Sequence, residues 1–254
     1  MAPSWDPHRY LIFADHRGRP FVDLLARVGA DDPASVVDLG CGPGNLTALL
    51  RDRWPRADVL GIDSSPEMVA KADLPDVRFE VADLREWQPS RPVDVVVSNA
   101  ALQWVPRHLE LLPQLLRHVA DGGWLAFQVP GNHDEPSHAL LRELAADPRF
   151  AAYTDGVARP RSHDPVTYAD ALIELGCVVD VWETTYLHQL SGEDPVFTWI
   201  SGTGARPTLQ ALPDDLRGDF VAEYKALLRA AYPPGPHGTT LPFRRIFAVA
   251  HKPR

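Results

Sequence analysis

Between about residues 20 and 130 the chain alternates helical and strand-like hydrophobic periods, and this constrains its fold more than any other feature. Phe21, Leu24, Leu25 and Val28 fall at i, i+3, i+4 and i+7, one face of an amphipathic helix, and Ser35 to Leu39 follow as a short apolar strand. Leu46, Leu49 and Leu50 mark a second helix. Strands are expected at 59–62, 77–81, 93–97 and 124–129. Ser64 and Glu67 have capping-box spacing and Pro66 suits a first turn, so a helix starts there. Leu109, Leu112, Leu116 and Val119 define another, which Gly122 and Gly123 are expected to stop. Strands that alternate with helices at this spacing form a parallel sheet with helices on both faces.

Beyond Pro130 the pattern loosens. Helices are expected at 136–146, 167–175 and 214–231 and strands at 178–186 and 243–250. The stretches 148–165 and 232–242, rich in Pro and Gly, read as loops. The expected fold is α/β, a mostly parallel sheet interrupted late in the chain by a helical cap over about 187–242.

The string VVDLGCGPGN, residues 36–45, is the most specific motif. An apolar strand ends at Leu39, and Gly40, Gly42 and Gly44 let the chain turn sharply while a ligand lies against its backbone. Asp63 ends the next strand, 19 residues beyond Gly44, where an acid can accept both hydroxyls of a ribose. Asp83 follows the third strand. Three strands thus bring polar groups to one carboxyl edge, where open α/β sheets bind ligands. The ligand could be a dinucleotide or S-adenosylmethionine. The Gly-x-Gly-x-Gly spacing, with Asn45 after it, departs from the dinucleotide fingerprint Gly-x-Gly-x-x-Gly.

That loop, preceded by Asp38, resembles motif I of the class I S-adenosylmethionine-dependent methyltransferases, whose sheet is mostly parallel with its last strand antiparallel. The resemblance implies that Asp38, Gly40, Gly42 and Gly44 form the cofactor loop. It implies that Asp63, with Ser64 and Met68 beside it, meets the ribose, that Asp83 and Leu84 meet the adenine, and that Asn99 and Ala100 of VDVVVSNAALQWV, residues 93–105, lie beside the methionine part. The product would be S-adenosylhomocysteine. Residues 31–100 carry thirteen Asp and Glu against seven Lys and Arg, a field suited to a cationic sulfonium.

Nearly end to end the chain further resembles the trans-aconitate 2-methyltransferases, in WDPHRYLIFADHRGRPFVDLLARV (5–28), GIDSSPEM (61–68), NAALQWVP (99–106), CVVDVWETTYLHQL (177–190), WISGTGARPTLQAL (199–212) and LPFRRIFAVA (241–250). This implies esterification of one carboxylate of a small polycarboxylate. A carboxylate is already ionised at neutral pH and needs no general base, and no His or Lys stands beside the fourth-strand motif, only Gln103 and Trp104. Those two are expected to position the acceptor. Spectator carboxylates call for Arg partners. Residues 199–254 hold eight Lys and Arg against four Asp and Glu, so Arg206, Arg244 and Arg245 are candidates, with Arg17 and Tyr10 from the N-terminal segment. The expected organisation is an N-terminal segment and helix over the cofactor (1–30), a cofactor-binding core (31–132) and a C-terminal part (133–254) that completes the sheet and carries the cap. A methyltransferase with a hydroxyl, amine or carbon acceptor, a non-catalytic cofactor-binding module and a nicotinamide oxidoreductase stay open as alternatives.

Composition excludes other classes. The formal charge of −9 argues against general nucleic-acid or anionic-membrane binding. No window approaches eighteen consecutive apolar residues, and the first twenty lack the apolar stretch of a signal peptide. Two cysteines make neither a disulfide framework nor a zinc site, and the expected location is the cytoplasm. The run HDEPSH, 133–138, puts two histidines near two acids, but Pro136 breaks any helical ligand spacing and no metal is expected.

Overall fold

The computed structural model describes residues 18–254; Tyr10 and Arg17 lie outside the described residues. In chain order the elements are α1 (Arg19–Leu25), β1 (Ser35–Leu39), α2 (Thr47–Arg53), β2 (Asp58–Asp63), α3 (Pro66–Val69), β3 (Val77–Val81), β4 (Val93–Asn99), α4 (Leu112–His118), β5 (Val119–Pro130), α5 (Pro136–Ala145), α6 (Pro148–Thr154), α7 (Pro165–Glu174), β6 (Val178–Leu190), α8 (Pro195–Ser201), α9 (Arg206–Ala211), α10 (Asp214–Ala231) and β7 (Thr239–His251). Short 3-10 turns at Leu102–Trp104 and His108–Leu111 join β4 to α4. No described helix is long and apolar enough to cross a membrane.

The seven strands lie in the order β3-β2-β1-β4-β5-β7-β6. β1 pairs in parallel with β2 and β4, β2 with β3, and β4 with β5. β7 runs the other way: Gly122 N–H donates to the Lys252 carbonyl and Gly131 N–H to that of Arg244, so partners descend along β7 as β5 ascends. The mostly parallel sheet with an antiparallel last strand is the expected one.

The chain forms two compact units. The first comprises residues to Val129 with His163–Glu183 and Ile246–Arg254; the second comprises Pro130–Ser162 and Thr184–Arg245. The core of the first is built on Val37, Leu39, Val96, Leu125 and Phe127, strand residues buried on a parallel sheet, with Tyr168 and Leu172 of α7. Arg53 ties α2 to the end of α1 and the turn after it by donating to the carbonyls of Leu25 and Val28, each at 2.6 Å. In the second unit Leu141 and Leu144 of α5 pack with Phe150, Phe220, Tyr224 and Leu228, a helical cluster with its own core.

Three local expectations fail. The stretch 148–165 contains α6: Asp147 accepts from Arg149 N–H at 2.9 Å and Pro148 enters the first turn, so the Pro read as loop punctuation starts a helix. Gly122 and Gly123 lie inside β5 and do not stop a helix; α4 already ends at His118. Gly122 takes φ +79°, and a Cβ on Gly123 would stand 2.8 Å from the Asp94 carbonyl oxygen, so the pair fits the irregular start of the β4–β5 pairing. Finally, 239–242 belongs to β7 because the preceding turn is tight: Gly235 N–H donates to the Gly238 carbonyl at 2.8 Å, and Gly238 has φ +102°.

Candidate active site

The carboxyl ends of β1, β2 and β4 and the turn after β3 surround a cleft of about 420 Å³ within the first unit. Gly40, Asp63, Ser64, Asp83, Leu84, Ala100 and Trp104 line it, all named from the sequence; Arg85 and Val105 are among the liners that sequence reasoning missed. The glycine turn is anchored to the neighbouring strand, with Gly40 and Cys41 N–H both donating to the Ile62 carbonyl at 2.7 and 2.9 Å. A Cβ on Gly40 would lie 2.2 Å from Ala101 Cβ, and one on Gly44 would lie 2.7 Å from the Phe79 ring. Gly42 differs: it has φ +56°, its missing Cβ would meet nothing within 4 Å, and it stands outside the cleft lining, with its positive φ as the reason for glycine.

Asp63 fastens two segments at once. Its Oδ2 accepts from Gly42 N–H and its Oδ1 from Ser65 N–H, both at 2.9 Å, and each oxygen keeps a lone pair for an incoming hydroxyl. Ser65 in turn accepts from Met68 N–H, so Met68 sits one turn into α3 and outside the cleft lining. Asp38 lies beneath the loop, 2% exposed, and accepts from Thr47 Oγ at 2.7 Å. Burial, with the Asp63 charge adding, pushes its pKa up to about 6 against the opposing Thr47 bond. It supports the loop from below. Burial and the same two acids push the Cys41 thiol well above its usual range, which leaves it inert as a nucleophile.

At the third strand, Arg85 holds Asp83 with its Nε 2.9 and 3.0 Å from the two carboxylate oxygens and a further close contact through Nη2. That guanidinium keeps the Asp83 carboxyl below the usual range. Its only sequence signal is its place two residues after the acid. At the fourth strand Ala100 takes φ +54°, a strained conformation for a residue with a side chain, and donates to the Gln128 carbonyl at 3.0 Å. Gln128 Nε2 donates to Asn99 Oδ1 at 2.6 Å, and Gln103 Nε2 donates to the Ala100 carbonyl at 2.5 Å. Gln103 is therefore committed to holding the turn, while Trp104, 39% exposed, forms cleft wall.

Of the candidate arginines, Arg206, Arg244 and Arg245 are described and fall in the second unit. Arg206 is exposed at the start of α9. Arg244 and Arg245 are neighbours on β7 and so face opposite sides of it. Arg244 is half-buried with Nη1 3.3 Å from the Gly131 carbonyl; Arg245 is buried with its guanidinium 4.5 Å from the Phe243 ring centroid. Among the described residues no group of three or more His, Cys, Asp or Glu is placed to hold a metal.

A methyltransferase-domain family model matches residues 13–180. Over 98% of its length the chain is 54% identical to a trans-aconitate 2-methyltransferase of Streptomyces avermitilis, covering 97% of that protein. The chain belongs to the trans-aconitate 2-methyltransferase family. A second relative so named, from Streptomyces coelicolor, is 52% identical over 99% of this chain and 88% of its own. Among solved structures, phosphoethanolamine N-methyltransferase 2 of Haemonchus contortus, in complex with S-adenosyl-L-methionine, shares the fold with a TM-score of 0.56 at 17% identity, over 93% of this chain and 53% of that one. For a member of this family, Gly40 at the cleft wall, the acids that follow β2 and β3 and the cleft volume suit S-adenosylmethionine.

Proposed function

We propose that this protein transfers a methyl group from S-adenosyl-L-methionine to a carboxylate oxygen of trans-aconitate, or of a closely related small polycarboxylate, and releases a methyl ester and S-adenosylhomocysteine. The observation that carries the reading is the joined set of cleft and full-length likeness: the glycine turn, Asp63 and Asp83 at one carboxyl edge, in a chain 54% identical to a protein of that name. When bound, the cofactor supplies an electrophilic methyl group on a cationic sulfur.

The residues present account for the rest. The Gly40–Gly44 turn offers backbone at close approach, Asp63 presents lone pairs to the ribose hydroxyls, and Asp83, steadied by Arg85, presents a carboxylate oxygen to the adenine amino group. The bond from Gln103 to the Ala100 carbonyl fixes the turn that carries Trp104, whose indole N–H is a donor suited to a carboxylate. No His, Lys or Cys lines the described cleft, which agrees with an acceptor that arrives ionised. Positioning and exclusion of water then provide the acceleration. The arginines of β7 and α9 are the proposed partners of the spectator carboxylates, and the two free cysteines suit a reducing cytoplasm.

Incubation of the protein and cofactor with a panel of di- and tricarboxylates, read by mass spectrometry, tests this. A monomethyl ester of trans-aconitate formed in step with S-adenosylhomocysteine is expected. No ester from any acid in the panel would overturn the reading.

A further inference from the structure

The segment between β4 and the second 3-10 turn contributes Ala100, Ala101, Trp104, Val105 and Pro106 to the cleft of the first unit. Two residues in the left-handed region bound it, Ala100 and Arg107, each at φ +54°. Neither is glycine, and residues with side chains stay in that region only where neighbouring contacts hold them there. At the first end Ala100 N–H donates to the Gln128 carbonyl, and the Ala100 carbonyl accepts from Gln103. At the other end the holding groups come from a distant stretch of the same unit, His163 and α7.

His108 follows Arg107 and is buried. Its Nδ1 lies 3.3 Å from the Val105 carbonyl oxygen and its Nε2 lies 2.7 Å from the Tyr168 hydroxyl. A carbonyl oxygen can only accept, so Nδ1 carries the proton; Nε2 of the neutral ring is then an acceptor, and the Tyr168 hydroxyl donates to it. The Tyr168 oxygen accepts in turn from His163 N–H at 3.1 Å. Three donors and three acceptors are thereby matched in one direction, from His163 through Tyr168 and His108 to Val105. Burial, with His163 adding and the Val105 bond opposing, holds His108 below the ordinary histidine range. Burial also pushes the Tyr168 phenol up to about 12, against the His163 bond. At pH 7 the ring is neutral and the phenol keeps the proton it donates. Tyr168 is braced against the sheet, edge-on to Phe127 of β5 with ring centroids 5.2 Å apart.

We propose that His108 is a positioning residue for the cofactor cleft: in the Nδ1–H tautomer that Tyr168 fixes, it holds the Val105 carbonyl and with it the wall that Trp104, Val105 and Pro106 present to S-adenosylmethionine. The role rests on the reading of this cleft as the S-adenosylmethionine site. His108 stands outside the cleft lining and acts through the backbone of Val105. Free imidazole favours the Nε2–H tautomer, so the Nδ1–H form is imposed by these surroundings. Loss of the donor at Nδ1 releases the Val105 carbonyl two residues before the strained Arg107, and the wall then has to be ordered by the ligand instead of standing ready for it. A side-chain amide can replace only one ring nitrogen. The Asn amide nitrogen falls at the place of Nδ1 and keeps the donor to Val105, whereas that of Gln falls at the place of Nε2 and does not.

Nitrogen-15 NMR of the histidine rings in the full chain at pH 7, with His108 assigned through the backbone, tests this together with calorimetric titration of S-adenosylhomocysteine. A ring protonated at Nδ1 and bare at Nε2 is expected in the wild type. Affinity for S-adenosylhomocysteine is expected to fall about three- to tenfold in His108→Ala and His108→Gln, the loss of one buried hydrogen bond, and to return to within about twofold of wild type in His108→Asn. A histidine that only packs would lower Tm in all three variants and leave the affinity of the folded protein unchanged, and that result overturns the positioning role. A wild-type ring protonated at Nε2 alone overturns it even if no variant folds. Wild-type binding with equal affinities for the Asn and Gln variants removes the role alone; a wild type that binds no S-adenosylhomocysteine removes the cofactor reading of the cleft and the role with it.

Discussion

The carboxyl edge of the first unit and the turn after β5 in the second both gather polar groups, yet they treat them in opposite ways. At the first, most of the polar side chains are paired, with Gln103 Oε1 left buried and unmatched: Asp63 accepts from two backbone N–H groups, Asp38 from Thr47, Asn99 from Gln128 and Asp83 from Arg85. At the second, Asn132 Oδ1 and both nitrogens of His133 are buried and unmatched. The first pattern describes a site organised before its ligand arrives, in which binding adds to bonds already made. The second leaves buried side-chain atoms without a partner within the protein.

The largest effect that could break this contrast is expected at Gly40. Gly40→Ala places a Cβ 2.2 Å from that of Ala101 at φ +81°, so the loop must move. Loss of S-adenosylhomocysteine binding by a factor of about a hundred or more, by calorimetry, is expected, because several preset contacts shift together. An unaltered affinity would show that the edge is not preorganised. Next is Asp63→Ala, which frees the N–H groups of Gly42 and Ser65 and removes the ribose acceptor. A drop of about ten- to a hundredfold in cofactor affinity is expected, with little change in KM for the carboxylate.

Asp38→Asn sharpens the comparison through pH. The folded-state value near 6 lies above the ordinary carboxylate value, so the folded protein binds the extra proton between about pH 4 and 6. Its contribution to stability is present at low pH and is lost as pH rises through that window. The variant lacks this dependence, so wild type minus variant stability, from urea unfolding, is expected to fall by roughly 2 kcal/mol between pH 4 and pH 7. A flat difference would mean that Asp38 is less desolvated than its burial implies. The smallest effect is expected at Asp147→Ala, which removes the cap of α6 and its link to Arg149. A Tm lower by a few degrees with unchanged KM values is expected.

Much of the first unit could be read from the chain because its determinants are local. β1 and β3 have the predicted limits, and Asp63 and Asp83 follow their strands at fixed offsets, so topology alone brings them to one edge. The Pro-initiated α6 was read as loop because Pro and Gly mark both turns and helix starts, and the Asp147 cap that decides between them is visible only with side chains placed. Arg85 escaped notice for a related reason: an Arg two residues from an Asp is ordinary until both are seen on one wall. In the second unit the sequence pointed to arginines by regional charge, which does not tell exposed Arg206 from buried Arg245.

The sequence by itself determined the βαβ order, the glycine turn, the acids after β2 and β3 and the family, because each depends on residues close along the chain or on near end-to-end likeness. Only the tertiary structure decided which polar groups are satisfied. That Asp38 is buried under the glycine turn, that Asn99 is held by Gln128 and that Asn132 Oδ1 is buried without a partner depend on what segments far along the chain place beside them. Burial and hydrogen bonding are properties of that surrounding and cannot be read from the residue alone.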